Sequence, residues 1–162
     1  MKILVTGATG FVGKAVHQKL NKHTVRLTSR REPLGNSAEF FEKIISSTTD
    51  FSDCLANIDV VIHTAARVHQ MNDDSQDPLS EFMEVNCFGT VNLARQAVKA
   101  GVKRFIFLSS MKVNGEKTER GVPFRFDDIP ISHDPYGISK SEAEVGLLDI
   151  AEHTNLEIVI IR

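Results

Sequence analysis

Tyr136 and Lys140 stand four residues apart on a segment with helical periodicity, so their side chains share one face. Tyr136 is the only tyrosine of the 162 residues. A free phenol titrates near 10 and is a weak base at neutral pH, whereas a neighbouring ammonium favours its ionised form. Lowering the phenol by about 3 units corresponds to roughly 4 kcal/mol of differential stabilisation. Such a phenol can take the proton of an alcohol while the carbon beside it loses hydride, or return it to a ketone. A serine hydroxyl would hold the reacting oxygen in place, and Ser109-Ser110 closes the apolar run Arg104–Leu108 upstream. Lys140 can also bind the ribose hydroxyls of a nicotinamide nucleotide. Taken singly, the pair is common on helices, and serines at strand ends usually just cap hydrogen bonds.

A hydride acceptor needs a cradle. Gly7, Gly10 and Gly13 lie three apart between the apolar run Ile3-Leu4-Val5 and a helical stripe of Phe11, Val12, Ala15, Val16 and Leu20. Residues without Cβ let the backbone approach a diphosphate, whose charge sits at a helix N-terminus. The absence of Gly-Lys-Ser/Thr excludes a mononucleotide P-loop. Strand two ends in Thr28-Ser29-Arg30-Arg31, with no carboxylate before Glu32. A carboxylate there would bind the ribose 2′-hydroxyl of NAD; two guanidiniums would clamp a 2′-phosphate. The expected cofactor is therefore NAD(P), with NADP favoured over NAD.

The elements that must position these groups follow from the apolar pattern. Strands are expected at 3–5, 24–28, 58–62, 104–108 and 158–161, with a weak one near Ile44-Ile45 and a loop over 30–41. Helices are expected at 11–20, 78–100, stopped by Gly101, and 136–153. The strands are continuous apolar runs, buried on both faces as in parallel sheets covered by helices. The predicted fold is α/β: a doubly wound, Rossmann-like parallel sheet flanked by helices on both faces. Ligands of such sheets lie at the C-terminal strand ends, which is where the glycine turn, Ala65-Ala66, Ser109-Ser110 and Tyr136 should converge. Residues 69–78 read as a polar loop, with Asp73-Asp74 solvated. The Pro-containing stretch 116–135 reads equally as a lid or a surface excursion.

Composition narrows the function further. Hydrophobic residues at 41% and charged residues at 25% are those of an ordinary folded domain. A formal net charge of -2 speaks against nucleic-acid or polybasic membrane partners. No apolar run reaches the roughly 18 residues of a membrane span. Cys54 and Cys87 fit neither a disulfide framework nor a metal knuckle, and His17, His23, His69, His133 and His153 show no ligand spacing, so no metal is expected and the compartment reads as reducing and cytoplasmic. His63 reads as a satisfied core or cofactor-edge histidine.

At this point the sequence resembles the extended short-chain dehydrogenase/reductase family and, within it, the nucleotide-sugar epimerase/dehydratase group. Thr6-Gly7-Ala8-Thr9-Gly10-Phe11-Val12-Gly13 is similar to the T-G-x-x-G-x-x-G turn. Ser109-Ser110-Met111-Lys112-Val113-Asn114-Gly115 resembles S-S-x-x-V-Y-G, and Pro135-Tyr136-Gly137-Ile138-Ser139-Lys140 resembles P-Y-x-x-S-K. The resemblance implies catalysis by Ser110, Tyr136 and Lys140. It implies cofactor contacts from Gly7, Gly10, Phe11, Val12 and Gly13, from Asp50-Phe51 at the adenine, from Thr64, Ala65 and Ala66 of the His63-Thr64-Ala65-Ala66 motif, and from Asn86 of Asn86-x-x-Gly89-Thr90. The implied substrate is a nucleoside-diphosphate sugar, often carrying UDP, whose C4 is oxidised and re-reduced from the other face. The alternatives are an NADPH-dependent reductase of 4-keto sugars and a non-catalytic dinucleotide-binding regulator. The resemblance also implies a homodimer through the helices at 78–100 and 136–153. Asn114 departs from the usual tyrosine, and Ser29 from the aspartate of NAD-binding members. A C-terminal sugar-binding domain belongs to the family pattern, so residues 1–162 read as the dinucleotide-binding domain of a truncated chain.

Overall fold

The computed structural model describes residues 1–35, 37–68 and 77–162. The expected loop containing His69 and Asp73-Asp74 lies outside the described residues. Six strands form one all-parallel sheet in the order β3-β2-β1-β4-β5-β6. They are β1 (Lys2–Thr6), β2 (Thr24–Ser29), β3 (Glu39–Glu42), β4 (Val60–His63), β5 (Arg104–Leu108) and β6 (Glu157–Ile161). The order reverses between β1 and β4, opening a crevice at their C-terminal ends. The doubly wound sheet read from the sequence is the fold observed.

Alternation along β1 shows why its apolar run is unbroken. Ile3 and Val5 join Leu27 and Ala8 in a cluster under α1 (Phe11–Lys19), while Leu4 points into the larger core beneath the other helices. That core also holds Val61, Phe105, Phe107, Leu93 and Leu147.

Three sequence expectations need correction. The stretch 30–41 is not all loop: Glu39-Phe40-Phe41-Glu42 pairs with β2 as an edge strand, and no strand forms at Ile44-Ile45. Its two phenylalanines go to opposite faces, Phe40 toward the α1 side and Phe41 toward the main core, with the Arg26 guanidinium 5.1 Å from the Phe41 ring centre. Second, Ile58 precedes β4 rather than starting it, because Asn57 adopts a left-handed turn at φ 60° after the short helix α2 (Ser52–Leu55). Third, the long helix is three consecutive segments: α3 (Pro78–Phe82), a π-helical turn (Met83–Phe88) and α4 (Gly89–Lys99). A Cβ at Gly89 would lie 2.6 Å from Ile45 Cγ2, so the widened turn is also where this helix presses against the chain after β3. The last helix, α5, runs Pro135–His153, capped by Asp134, whose Oδ1 accepts from the Gly137 N–H at 3.1 Å. No helix among the described residues is long and apolar enough to cross a membrane.

Candidate active site

The glycine turn is built by steric necessity. Gly7 has φ +69°, and a Cβ there would sit 2.7 Å from Ala65 N. A Cβ on Gly13 would sit 2.2 Å from the Gly7 carbonyl oxygen. The α1 N-cap is Gly10, which offers no side-chain cap, so the N–H groups of Phe11, Val12 and Gly13 lack intrahelical acceptors. Together with the helix dipole they form an anion-binding end. The Phe11 side chain is 95% exposed, so the turn presents backbone and not bulk.

This turn opens onto a crevice of about 260 Å³ lined by Gly7, Gly10, Thr28, Ser29, Thr64 and Ala65, among others. Thr28 Oγ1 is buried in its wall with no hydrogen-bond partner among the described residues. An open helix end, a wall shaped by missing Cβ atoms and an orphaned hydroxyl fit a dinucleotide bearing phosphates and ribose. Arg30 lines both this crevice and an adjoining one shared with Arg31, Lys14 and His17. Ser29 Oγ donates to the Arg31 carbonyl at 2.5 Å, fixing the bend that follows β2. Asp50 and Phe51 lie elsewhere than this lining: Phe51 is wholly buried in the core, and Asp50 is exposed, accepting from the Ser52 N–H.

Across the crevice, Ser110 ends β5 in an extended conformation and caps a short 3₁₀ turn (Met111–Val113). Its Oγ accepts from the Lys112 N–H at 3.2 Å, which leaves its own hydrogen to donate, and the Tyr136 phenol is within hydrogen-bonding reach. The Tyr136 ring is steadied edge-on by the buried Phe82, with centroids 6.1 Å apart. Burial raises the Tyr136 phenol above its ordinary value; the Ser110 hydrogen bond and the Lys112 charge act the other way, and Asp134 raises it further. The expected influence of Lys140 on the phenol is not what the geometry emphasises. Lys140 is only 1% exposed, and its Nζ lies 4.0 Å from the Phe107 ring centre. Burial pulls the ammonium down to about 7, against the opposing charge of Glu144.

Asn86 takes a different part from a free cofactor ligand. Its Oδ1 accepts from the Arg67 N–H, and its Nδ2 donates to the Arg67 carbonyl and to Ser139 Oγ. Ser139 Oγ in turn donates to the Tyr136 carbonyl at 2.7 Å. The amide is thus a strut between the end of β4 and the helix that carries Tyr136.

His63 completes a directed chain. Thr90 Oγ1 spends its hydrogen on the Asn86 carbonyl at 2.7 Å, so it accepts from His63 Nε2–H at 2.9 Å. The bare Nδ1 then accepts from Thr6 Oγ1 at 2.7 Å, and Thr6 Oγ1 accepts from Ala65 N–H. Burial, followed by the Lys140 charge, drives His63 down to about 3, consistent with a neutral ring stacked on Phe107. The sequence signalled His63 only as a core histidine; Phe82, Lys112 and Glu144 carried no recognisable signal.

Residues 3–162 match the NAD dependent epimerase/dehydratase family. The chain belongs to that family. It is 47% identical over 164 residues to a UDP-glucose 4-epimerase of Vibrio cholerae, covering 99% of this chain and 50% of that protein. The chain thus spans about half the length of that relative. Among solved structures, a short-chain dehydrogenase/reductase superfamily protein of Agrobacterium tumefaciens with bound NAD superposes with a TM-score of 0.88 at 30% identity, over 100% of this chain and 48% of that one. A Thermotoga maritima UDP-glucose 4-epimerase with UDP-glucose superposes with a TM-score of 0.84 at 28% identity, over 100% and 55%. The epimerase/dehydratase chain therefore has the family's dinucleotide-binding architecture.

Proposed function

We propose that this chain is the dinucleotide-binding half of a nucleoside-diphosphate-sugar 4-epimerase of the UDP-glucose 4-epimerase type. The observation that carries the reading is the arrival of Ser110 and Tyr136, from β5 and α5, at the same sheet edge as the Gly7–Gly13 turn. Gly7, Gly10 and the free N–H groups of Phe11, Val12 and Gly13 hold the diphosphate of NAD(P), Thr28, Ser29, Thr64, Ala65 and Ala66 form the wall, and Lys140 and Tyr136 stand on the nicotinamide side. The bound cofactor supplies a reversible hydride acceptor. Tyr136 accepts the sugar C4 hydroxyl proton as that carbon is oxidised to a ketone, while Ser110 donates to the same oxygen. After the sugar turns, Tyr136 returns its proton to the carbonyl oxygen as the carbon is reduced on its opposite face. Redox change and protons balance over the cycle.

The chain's own charges favour the 2′-phosphate form. Arg30, Arg31, Lys14 and His17 surround the crevice beyond β2, where no carboxylate stands. Titration of the protein with NADP and NAD tests this; replacing Arg30 and Arg31 by alanine should weaken NADP at least tenfold and leave NAD little changed. The same charges support the second reading, an NADPH-dependent reductase of UDP-4-keto sugars. Incubation with UDP-glucose or UDP-galactose separates the two: interconversion without net cofactor use supports the epimerase, and stoichiometric NADPH oxidation with a keto sugar supports the reductase.

Assembly as a homodimer through the α3–α4 and α5 helices is supported by the exposed apolar side chains of Phe88, Val145 and Leu148. Two buried free thiols, Cys54 and Cys87, fit the reducing cytoplasm.

A further inference from the structure

Glu144 lies one helical turn beyond Lys140 and is 3% exposed. A carboxylate so deep costs several kcal/mol unless its oxygens are satisfied. Here they are. Ser109 Oγ donates to Oε1. Arg162 Nε donates to both oxygens at 3.1 Å, and its terminal nitrogen to Oε2 at 2.6 Å. The same guanidinium donates to the Phe126 carbonyl, and Asn114 Nδ2 donates to the neighbouring Arg125 carbonyl at 3.1 Å. One carboxylate therefore joins the end of β5, the end of β6, the Tyr136 helix and the stretch after Asn114.

Two consequences reach the reacting groups. Ser109 precedes Ser110, so anchoring its side chain fixes the strand end that aims Ser110 at Tyr136. The charged and titratable groups facing Lys140 are His63 from β4, neutral, and Glu144 from its own helix; Phe107 of β5 offers a ring face. Glu144 is thus the anion nearest in kind to a counterion for that ammonium, with Arg162 holding it in place.

We propose that Glu144 is a positioning residue of the reaction, whose carboxylate, fixed by Arg162 and Ser109, sets the register of Ser110 and the charge environment of Lys140. The inference rests on the oxidoreductive reading for the word reaction alone. Its test is direct observation of the Lys140 ammonium by NMR on ¹⁵N-lysine-labelled protein, native and carrying E144Q with R162M. The pair of substitutions removes both charges at similar volume, so no unpaired ion is left to unfold the core. The native midpoint is expected near 7. In the double variant it should fall by about one unit, with the melting temperature near native and, in turnover assays, kcat down about tenfold at unchanged cofactor affinity. An unchanged midpoint overturns the proposal, and so does a double variant that fails to fold, since Glu144 would then serve stability alone. The titration needs no turnover: a shifted midpoint in a protein without activity would preserve this inference and remove only the catalytic reading.

Discussion

The Lys140 ammonium lies over the face of the Phe107 ring, 4.0 Å from its centre, inside a core that leaves the lysine 1% exposed. A cation there interacts with the ring quadrupole but has lost its water. Its folded-state value near 7 is below the 10.5 of an exposed lysine, so between those limits the unfolded chain holds the proton more tightly. Stability should fall as pH drops from 10.5 toward 7. Lys140→Met should therefore raise stability at pH 7 by on the order of 2 kcal/mol, with the gain vanishing above pH 10.5. Thermal melts at the two pH values check this, and a destabilised variant at pH 7 would contradict it.

Tyr136 can be watched alone, because the chain has one tyrosine and no tryptophan. Absorbance at 295 nm should give a phenol midpoint above 10 for the cofactor-free protein. Ser110→Ala removes the donor that stabilises phenolate, so the midpoint should move further up. A midpoint that stays put would separate Ser110 from the phenol.

Tyr136→Phe keeps the ring against Phe82 and deletes only the acid/base hydroxyl. Turnover should drop by about 10³-fold while dinucleotide affinity stays within a factor of about three. Steady-state kinetics with calorimetric binding read both quantities; unchanged turnover would favour a regulatory dinucleotide binder.

His63 governs acid stability. Its value near 3 is below the 6.5 of a free imidazole, so its contribution is complete above pH 6.5 and is lost as pH falls toward 3. Replacing His63 with glutamine, whose amide offers one donor and one acceptor, should flatten the melting curve over that interval at some cost at neutral pH. A steep native decline that survives in His63→Gln would assign it to other groups.

Gly13→Ala places a methyl against the Gly7 carbonyl at 2.2 Å and Thr64 Oγ1 at 2.8 Å. The helix must back away from the turn, and dinucleotide affinity should fall at least tenfold, with about 2 kcal/mol lost in stability. Binding isotherms and denaturant melts check both.

What was legible in the sequence was local. Gly7, Gly10 and Gly13 declare themselves because backbone contact tolerates no Cβ, and Ser110, Tyr136 and Lys140 because a strand end and a helical spacing put them at one edge. Phe40 and Phe41 escaped because two adjacent aromatics in an edge strand serve both faces and break neither pattern. The Glu144–Arg162 pair escaped because its partners come from separate elements, and an acidic residue on a helix ordinarily reads as solvated. Asn86 was read as a cofactor ligand; its amide is committed to Arg67 and Ser139, a three-way choice that only tertiary contacts decide.

The Met83–Phe88 turn holds one residue more than regular winding between its flanks would accept. Excising a single residue there would leave a helix of unbroken pitch, yet rotate everything beyond it by about 100°. Gly89 would swing off Ile45, Thr90 would leave His63, and the strut to Tyr136 would lose its footing. That wide turn acts as a phase shim, and the chain's length at this point is as strict a requirement as the identity of its residues.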